Sequence, residues 1–180
     1  MNIANKLTIL RVLLVPIFVT VLMTNVLSEP FAQYVALIIF IVAAATDFLD
    51  GHIARSRNLV TTFGKFMDPL ADKLLVTSAL ICFVELDMIP AWIVIIIVSR
   101  DFIISGVRLV AASAGKVIAA SWWGKIKTVV QMLMIIILLM NLNFSFAVYI
   151  EQGFIIIAVV LTIISLLDYI LKNIEVFKEN

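Results

Sequence analysis

The sequence predicts an all-α integral membrane protein of six transmembrane helices, and three observations carry that prediction. Apolar side chains make up 64% of the 180 residues, charged ones only 14%, and the mean hydropathy is +1.20. Soluble domains are about half apolar and a quarter charged. Six apolar stretches fall at roughly 7–27, 32–55, 62–86, 90–114, 122–142 and 147–170, each able to cross a hydrocarbon core that takes about 20 residues. The third observation is that Lys and Arg collect at alternate connections between these stretches.

The first span follows Lys6 and a few polar residues, but its apolar run is too long for a signal peptide and no small-residue cleavage site follows, so it reads as retained. The second and third spans are joined by SRNLVTTF, too short for anything but an antiparallel pair. Basic residues lie at the N-terminus (Lys6, Arg11), the 2–3 connection (Arg55, Arg57, Lys65, Lys73), around the 4–5 connection (Arg100, Arg108, Lys116, Lys125, Lys127) and in the C-terminal tail (Lys172, Lys178). The other connections carry Glu29, Glu85, Asp87 and Glu151. The positive-inside rule then places both termini and the 2–3 and 4–5 connections in the cytoplasm of a multi-pass protein of the cell membrane. The six spans use nearly the whole chain, so 1–180 reads as a single transmembrane domain with no separate soluble part. A net charge of +1 says little, and the lone Cys82, within the third span, reads as an apolar filler.

Four aspartates break the apolar pattern. At helical spacing Asp47, Asp50, Gly51 and Ala54 share roughly a 100° arc, with Arg55 at its edge. Gly64, Asp68 and Asp72, four apart, form a stripe on the next span. His52 points off the aspartate face and reads as a surface residue. Any one carboxylate can be a solvated helix end. Four together repel and would be protonated in a partly dehydrated site unless a cation holds them, and Arg55 alone does not offset four charges. Oxygen ligands without His or Cys suit Mg²⁺, Mn²⁺ or Ca²⁺ rather than zinc, and four carboxylates on two helices can bridge two such ions. Gly51, Ala54 and Gly64 serve close helix packing, close approach of a bulky ligand, or both. Metals beside arginine at the cytoplasmic edge suit a phosphate-containing substrate, with a carboxylate to take a proton from an attacking hydroxyl.

The run Asp47-x2-Asp50-Gly51-x2-Ala54-Arg55-x8-Gly64-x3-Asp68-x3-Asp72 resembles the full signature of the CDP-alcohol phosphatidyltransferases, with all eight positions filled. Asn5-x2-Thr8-x2-Arg11, Pro16, SRDFIISGVR and GKVIAASWWGKIKTVVQ are similar to stretches of the bacterial phosphatidylglycerophosphate synthases within that family. Asp101 departs from them, since Glu is expected there. The resemblance implies a six-helix membrane fold, usually homodimeric, with a polar cavity open to the cytoplasm. It implies transfer of the phosphatidyl group from CDP-diacylglycerol to an alcohol, here glycerol 3-phosphate, giving phosphatidylglycerophosphate and CMP. Carried over by position, Asp47, Asp50 and Asp68 would hold Mg²⁺ or Mn²⁺, two ions per site, and Asp72 would be a ligand or the general base. Gly51, Ala54, Arg55 and Gly64, with Asn5 and Thr8, would line the CDP-diacylglycerol site.

A phosphorylated acceptor needs its own anion site, because the carboxylates and the lipid diphosphate would repel it. Arg108 is the first candidate, with Arg100 eight residues earlier on the same span and Lys125 at the start of the fifth. Lys127 opens the fifth span from the same side and is a further candidate for the pocket, but it and Lys116 read first as positive-inside anchors, and Arg100 as functional or paired with Asp101. Other readings are the same chemistry on another acceptor, as in cardiolipin, inositol-phosphate or serine phospholipid synthases, or, from a different class, a cation transporter. The aspartates cluster at one end with no acidic residue mid-membrane in spans 1, 4, 5 or 6 to continue an ion path, which weighs against transport.

Overall fold

The computed structural model describes residues 3–24, 26–56, 62–113, 115, 118–119 and 121–174; within these, the side chains of 3–6, 47–56, 62–69, 72 and 113 lie outside the description. Among the described residues there are six helices and no strands: α1 (Ile3–Met23), α2 (Glu29–Ser56), α3 (Thr62–Glu85), α4 (Ala91–Ser113), α5 (Trp122–Leu139) and α6 (Ala147–Lys172). They match the six apolar stretches closely. Large apolar side chains such as Leu13, Ile38, Ile95, Leu109 and Ile156 are exposed along them, a surface that suits lipid rather than water. The protein is of the all-α membrane class.

Among the described residues, three stretches are long and apolar enough to cross a membrane, Glu29–Thr46, Trp122–Leu139 and Ala147–Lys172, and Leu7–Met23 of α1 is a shorter apolar stretch. The reason α4 is not among them lies in its own charges. Every 18-residue stretch of α4 contains Arg100, Asp101 and Arg108. The polar residues of this helix, two of them expected to carry chemistry, are thus what dilutes it.

The chain forms two compact units, residues 1–88 with 136–142, and 89–135 with 143–180. In the first, α1 packs along α2 and α3, and α2 and α3 also touch each other. Its buried face on α1 runs Thr8, Arg11, Val15, Phe18 and Leu22, the three-and-four spacing of a helix stripe. Ala32, Ala36, Phe40 and Ala43 form the matching stripe on α2, and Ala71, Leu75, Ala79 and Phe83 that on α3. Phe18 and Phe40 meet with ring centroids 6.2 Å apart and planes at 51°. The alanines let helix backbones approach closely, which is how helices associate where lipid competes for every apolar contact. Cys82 is a free, buried cysteine, as expected of a filler. The end of α3 is capped by Asp87 at φ 56°, with Met88 N–H donating to Phe83 O at 2.9 Å and Asp87 N–H to Val84 O at 3.1 Å. This is the paired bonding of a Schellman cap, closed by Pro90.

In the second unit α4 packs on α6. Ser121 caps α5, its Oγ accepting from Gly124 N–H at 3.1 Å. The buried polar residues here are Arg100, Lys127, Gln131, Thr162 and Ser165.

Candidate active site

In the first unit the expected site residues fall at the ends of three helices. Backbone helix continues through α2 as far as Ser56 and begins in α3 at Thr62. The spacings 47-50-51-54 and 64-68-72 therefore fall on real helical turns. In register, positions 47, 50 and 54 prolong the buried line Ala36–Phe40–Ala43 of α2, and positions 64, 68 and 72 prolong the line Leu75–Ala79–Phe83 of α3. The two helices are in contact, as the short connection required. The side chains of Asp47, Asp50, Gly51, Ala54, Arg55, Gly64, Asp68 and Asp72, and that of Asn5, lie outside the described residues.

From α1, Thr8 and Arg11 are both fully buried. Arg11 Nε donates to the carbonyl of Ala43 at 3.3 Å, one helical turn before Asp47, and Thr46 Oγ1 donates to the same carbonyl at 2.7 Å. The polar end of α1 is thus fastened to α2 at the start of the aspartate stripe. Sequence reasoning registered Arg11 only as part of an N-terminal pattern and as a basic residue. Its position i+3 from Thr8 on the α1 stripe was the available signal for a buried role.

Carboxylates at four helically spaced positions on two touching helices are hard oxygen ligands of the kind that would hold Mg²⁺ or Mn²⁺.

In the second unit the expected acceptor residues separate by environment. Arg100 is buried: its Nε donates to Ser165 Oγ at 3.0 Å and its Nη1 to Asp101 Oδ1 at 2.9 Å. The expected pairing with Asp101 is present. Lys127, read from sequence as an interfacial anchor, is instead only 1% exposed and donates to both Asp101 oxygens, at 2.7 and 2.8 Å. Lys125 and Lys127 stand about 200° apart on a helix, so one turns in as the other turns out. Lys125 is exposed, its ammonium 5.9 Å from the centre of the Trp122 ring. Arg108 is also exposed, its guanidinium 5.8 Å from the centre of the buried Tyr169 ring, a cation–π arrangement. Beside it a cavity of about 430 Å³ is lined by Ile118, Ala119, Ser121, Trp122, Tyr169, Lys172 and Asn173. Arg108 and Lys125 thus stand at aromatic rings that border one cavity, while Arg100 is held in the buried network. Ser165 was not among the residues the sequence pointed to for this site.

The family model described as CDP-alcohol phosphatidyltransferase matches residues 1–164. The chain is 44% identical to the CDP-diacylglycerol–glycerol-3-phosphate 3-phosphatidyltransferase of Bacillus subtilis, over 98% of this chain and 97% of the relative. It is 43% identical to the Haemophilus influenzae protein of the same name, over 94% and 91%, and 41% identical to that of Shigella flexneri, over 94% and 93%. A match over most of the chain, together with eight signature positions on two touching helices, means that the chain belongs to the CDP-alcohol phosphatidyltransferase family.

Proposed function

We propose that this enzyme transfers the phosphatidyl group of CDP-diacylglycerol to glycerol 3-phosphate, forming phosphatidylglycerophosphate and CMP in phospholipid biosynthesis. The observation that carries the reading is the eight-position signature on the helical backbone of α2 and α3, two helices in contact. The relatives named for this reaction align over nearly the whole chain, which favours glycerol 3-phosphate over other alcohols.

A hydroxyl oxygen of glycerol 3-phosphate attacks the lipid-side phosphorus, the bond from that phosphorus to the oxygen of CMP breaks, and Asp72 takes the hydroxyl proton. Asp47, Asp50 and Asp68, with Asp72, are the residues to hold two Mg²⁺ or Mn²⁺ ions. Such ions supply neutralisation of diphosphate charge and of the CMP that leaves. Arg55 binds the diphosphate, and Gly51, Ala54 and Gly64 leave room for the nucleotide, with Asn5 and Thr8 contributing from α1. Arg108, Arg100 and Lys125 take the acceptor phosphate, where a guanidinium can grip two oxygens at once. The protein crosses the membrane six times and works as a homodimer, with its termini and active site in the cytoplasm. The supports for that topology are the basic residues gathered at alternate connections and the family resemblance.

The test is purified protein with CDP-diacylglycerol and a panel of acceptors. CMP release should depend on glycerol 3-phosphate and be far slower with serine, inositol phosphate or phosphatidylglycerol. Faster release with one of the others would assign the protein to that acceptor within the same family.

A further inference from the structure

Among the described residues of the second unit, Asp101 stands at the centre of a connected polar group. It accepts three bonds, from Arg100 Nη1 at 2.9 Å and from Lys127 Nζ at 2.7 and 2.8 Å. Arg100 is fixed a second time through Nε on Ser165 Oγ at 3.0 Å, and Ser165 is itself held by donating to Thr162 O at 3.0 Å. The guanidinium is planar and rigid, so fixing two of its nitrogens fixes the direction of the third. That third nitrogen, Nη2, lies 3.1 Å from where a Cβ on Gly124 would stand. Gly124 is in the first turn of α5, where a helix carries partial positive charge, and its bare backbone leaves room for this nitrogen.

We propose that Asp101 is a positioning residue for the transfer reaction: by gripping Arg100 Nη1 and Lys127 together it holds the guanidinium so that Nη2, over Gly124, is the arm offered to the acceptor's phosphate. This rests on the reading of Arg100 as an acceptor-phosphate ligand. Lys127 has a different task. Its ammonium is buried and bonded to the same carboxylate, which locks α5 to α4 and keeps the carboxylate from following Arg100 when a dianion arrives. Asp101 touches no reacting atom; its effect passes through Arg100.

The test uses the full-length protein in detergent, with steady-state kinetics for each substrate and a thermal melt for each variant. Asp101→Asn keeps the shape but loses the charge that orders both cations. It should raise the KM for glycerol 3-phosphate roughly 10-fold or more, as loss of a charge-assisted contact does, with the KM for CDP-diacylglycerol little changed. Asp101→Glu should restore most of the affinity. The double variant Asp101→Asn with Lys127→Met removes the buried ammonium as well, so it relieves the imbalance that could unfold the single variant. The glycerol 3-phosphate KM should stay raised even where the melt recovers. Recovery of that KM together with the melt would overturn the proposal, because Asp101 would then serve charge balance alone. Arg100→Ala separates the two layers of the argument. If it leaves the glycerol 3-phosphate KM unchanged, the reading of Arg100 fails; if it raises that KM while Asp101→Asn does not, the positioning role fails and the reading of Arg100 stands.

Discussion

Replacing Gly124 by alanine sets two effects of opposite sign against each other, and the structure gives the size of both. The new Cβ would stand 3.1 Å from Arg100 Nη2 and 3.4 Å from Ser121 Oγ. The second distance is ordinary contact, and the first is short by a few tenths of an ångström. Alanine is the better helix former, by at most about 1 kcal/mol, so the melt should hold steady or rise slightly. Arg100 does not swing aside freely, because Nε is bonded to Ser165 and Nη1 to Asp101. The guanidinium must therefore shift as a block, stretching its own bonds and moving Nη2. Losing part of one charge-assisted bond, about 1 kcal/mol of its 1.5–3 kcal/mol, corresponds to a rise of about 5-fold in the KM for glycerol 3-phosphate. The assay is CMP release at saturating CDP-diacylglycerol over a range of glycerol 3-phosphate, with a melt of the same preparation. An unchanged KM in a stable Gly124→Ala protein would show that Nη2 and the ground over Gly124 play no part in acceptor binding.

Asp72→Asn should abolish turnover while CDP-diacylglycerol still binds, because the amide is nearly isosteric but takes no proton; activity within a few-fold of the parent would remove Asp72 from the base role. Thorough chelation should silence the enzyme and added Mg²⁺ or Mn²⁺ should restore it, whereas Asp68→Ala should recover only in part at high metal concentration. Surviving wild-type activity after chelation would contradict the carboxylate metal site. Phe18→Ala removes a fully buried ring that faces Phe40. In lipid the transfer part of the usual loss shrinks, because the surroundings are as apolar as the core, leaving a cavity and lost packing of about 2–3 kcal/mol. A melt unchanged by this substitution would mean that α1 and α2 are not held by that contact.

The helices were legible because apolar runs and their polar breaks are local, and the six observed helices start and stop close to the six stretches. The aspartate stripes were legible for the same reason: a spacing of three and four has one meaning once the backbone is helical, and α2 and α3 are helical across it. Lys127 was misread because a lysine near the start of an apolar helix has an ordinary explanation at the interface, and its partner Asp101 lies 26 residues away in sequence. The link from Arg100 to Ser165 spans 65 residues and involves a serine inside an otherwise apolar helix, which no local pattern distinguishes from helix back-bonding. Burial of Arg11 likewise depends on α1 lying against α2, where it reaches the Ala43 carbonyl. Local periodicity thus set the helical register of the aspartate positions, and tertiary packing decided which cations turn inward.

The central claim is that the bond broken is the one between the lipid-side phosphorus and CMP, with the acceptor hydroxyl becoming the new ester oxygen. Glycerol 3-phosphate carrying oxygen-18 in its primary hydroxyl tests this directly when incubated with the purified protein and CDP-diacylglycerol and followed by mass spectrometry. The account predicts unlabelled CMP and, in equal amount, a phosphatidylglycerophosphate that retains the heavy oxygen. Phosphatidic acid together with a labelled, water-soluble CMP ester of glycerol 3-phosphate would mean attack on the nucleoside-side phosphorus and would contradict it.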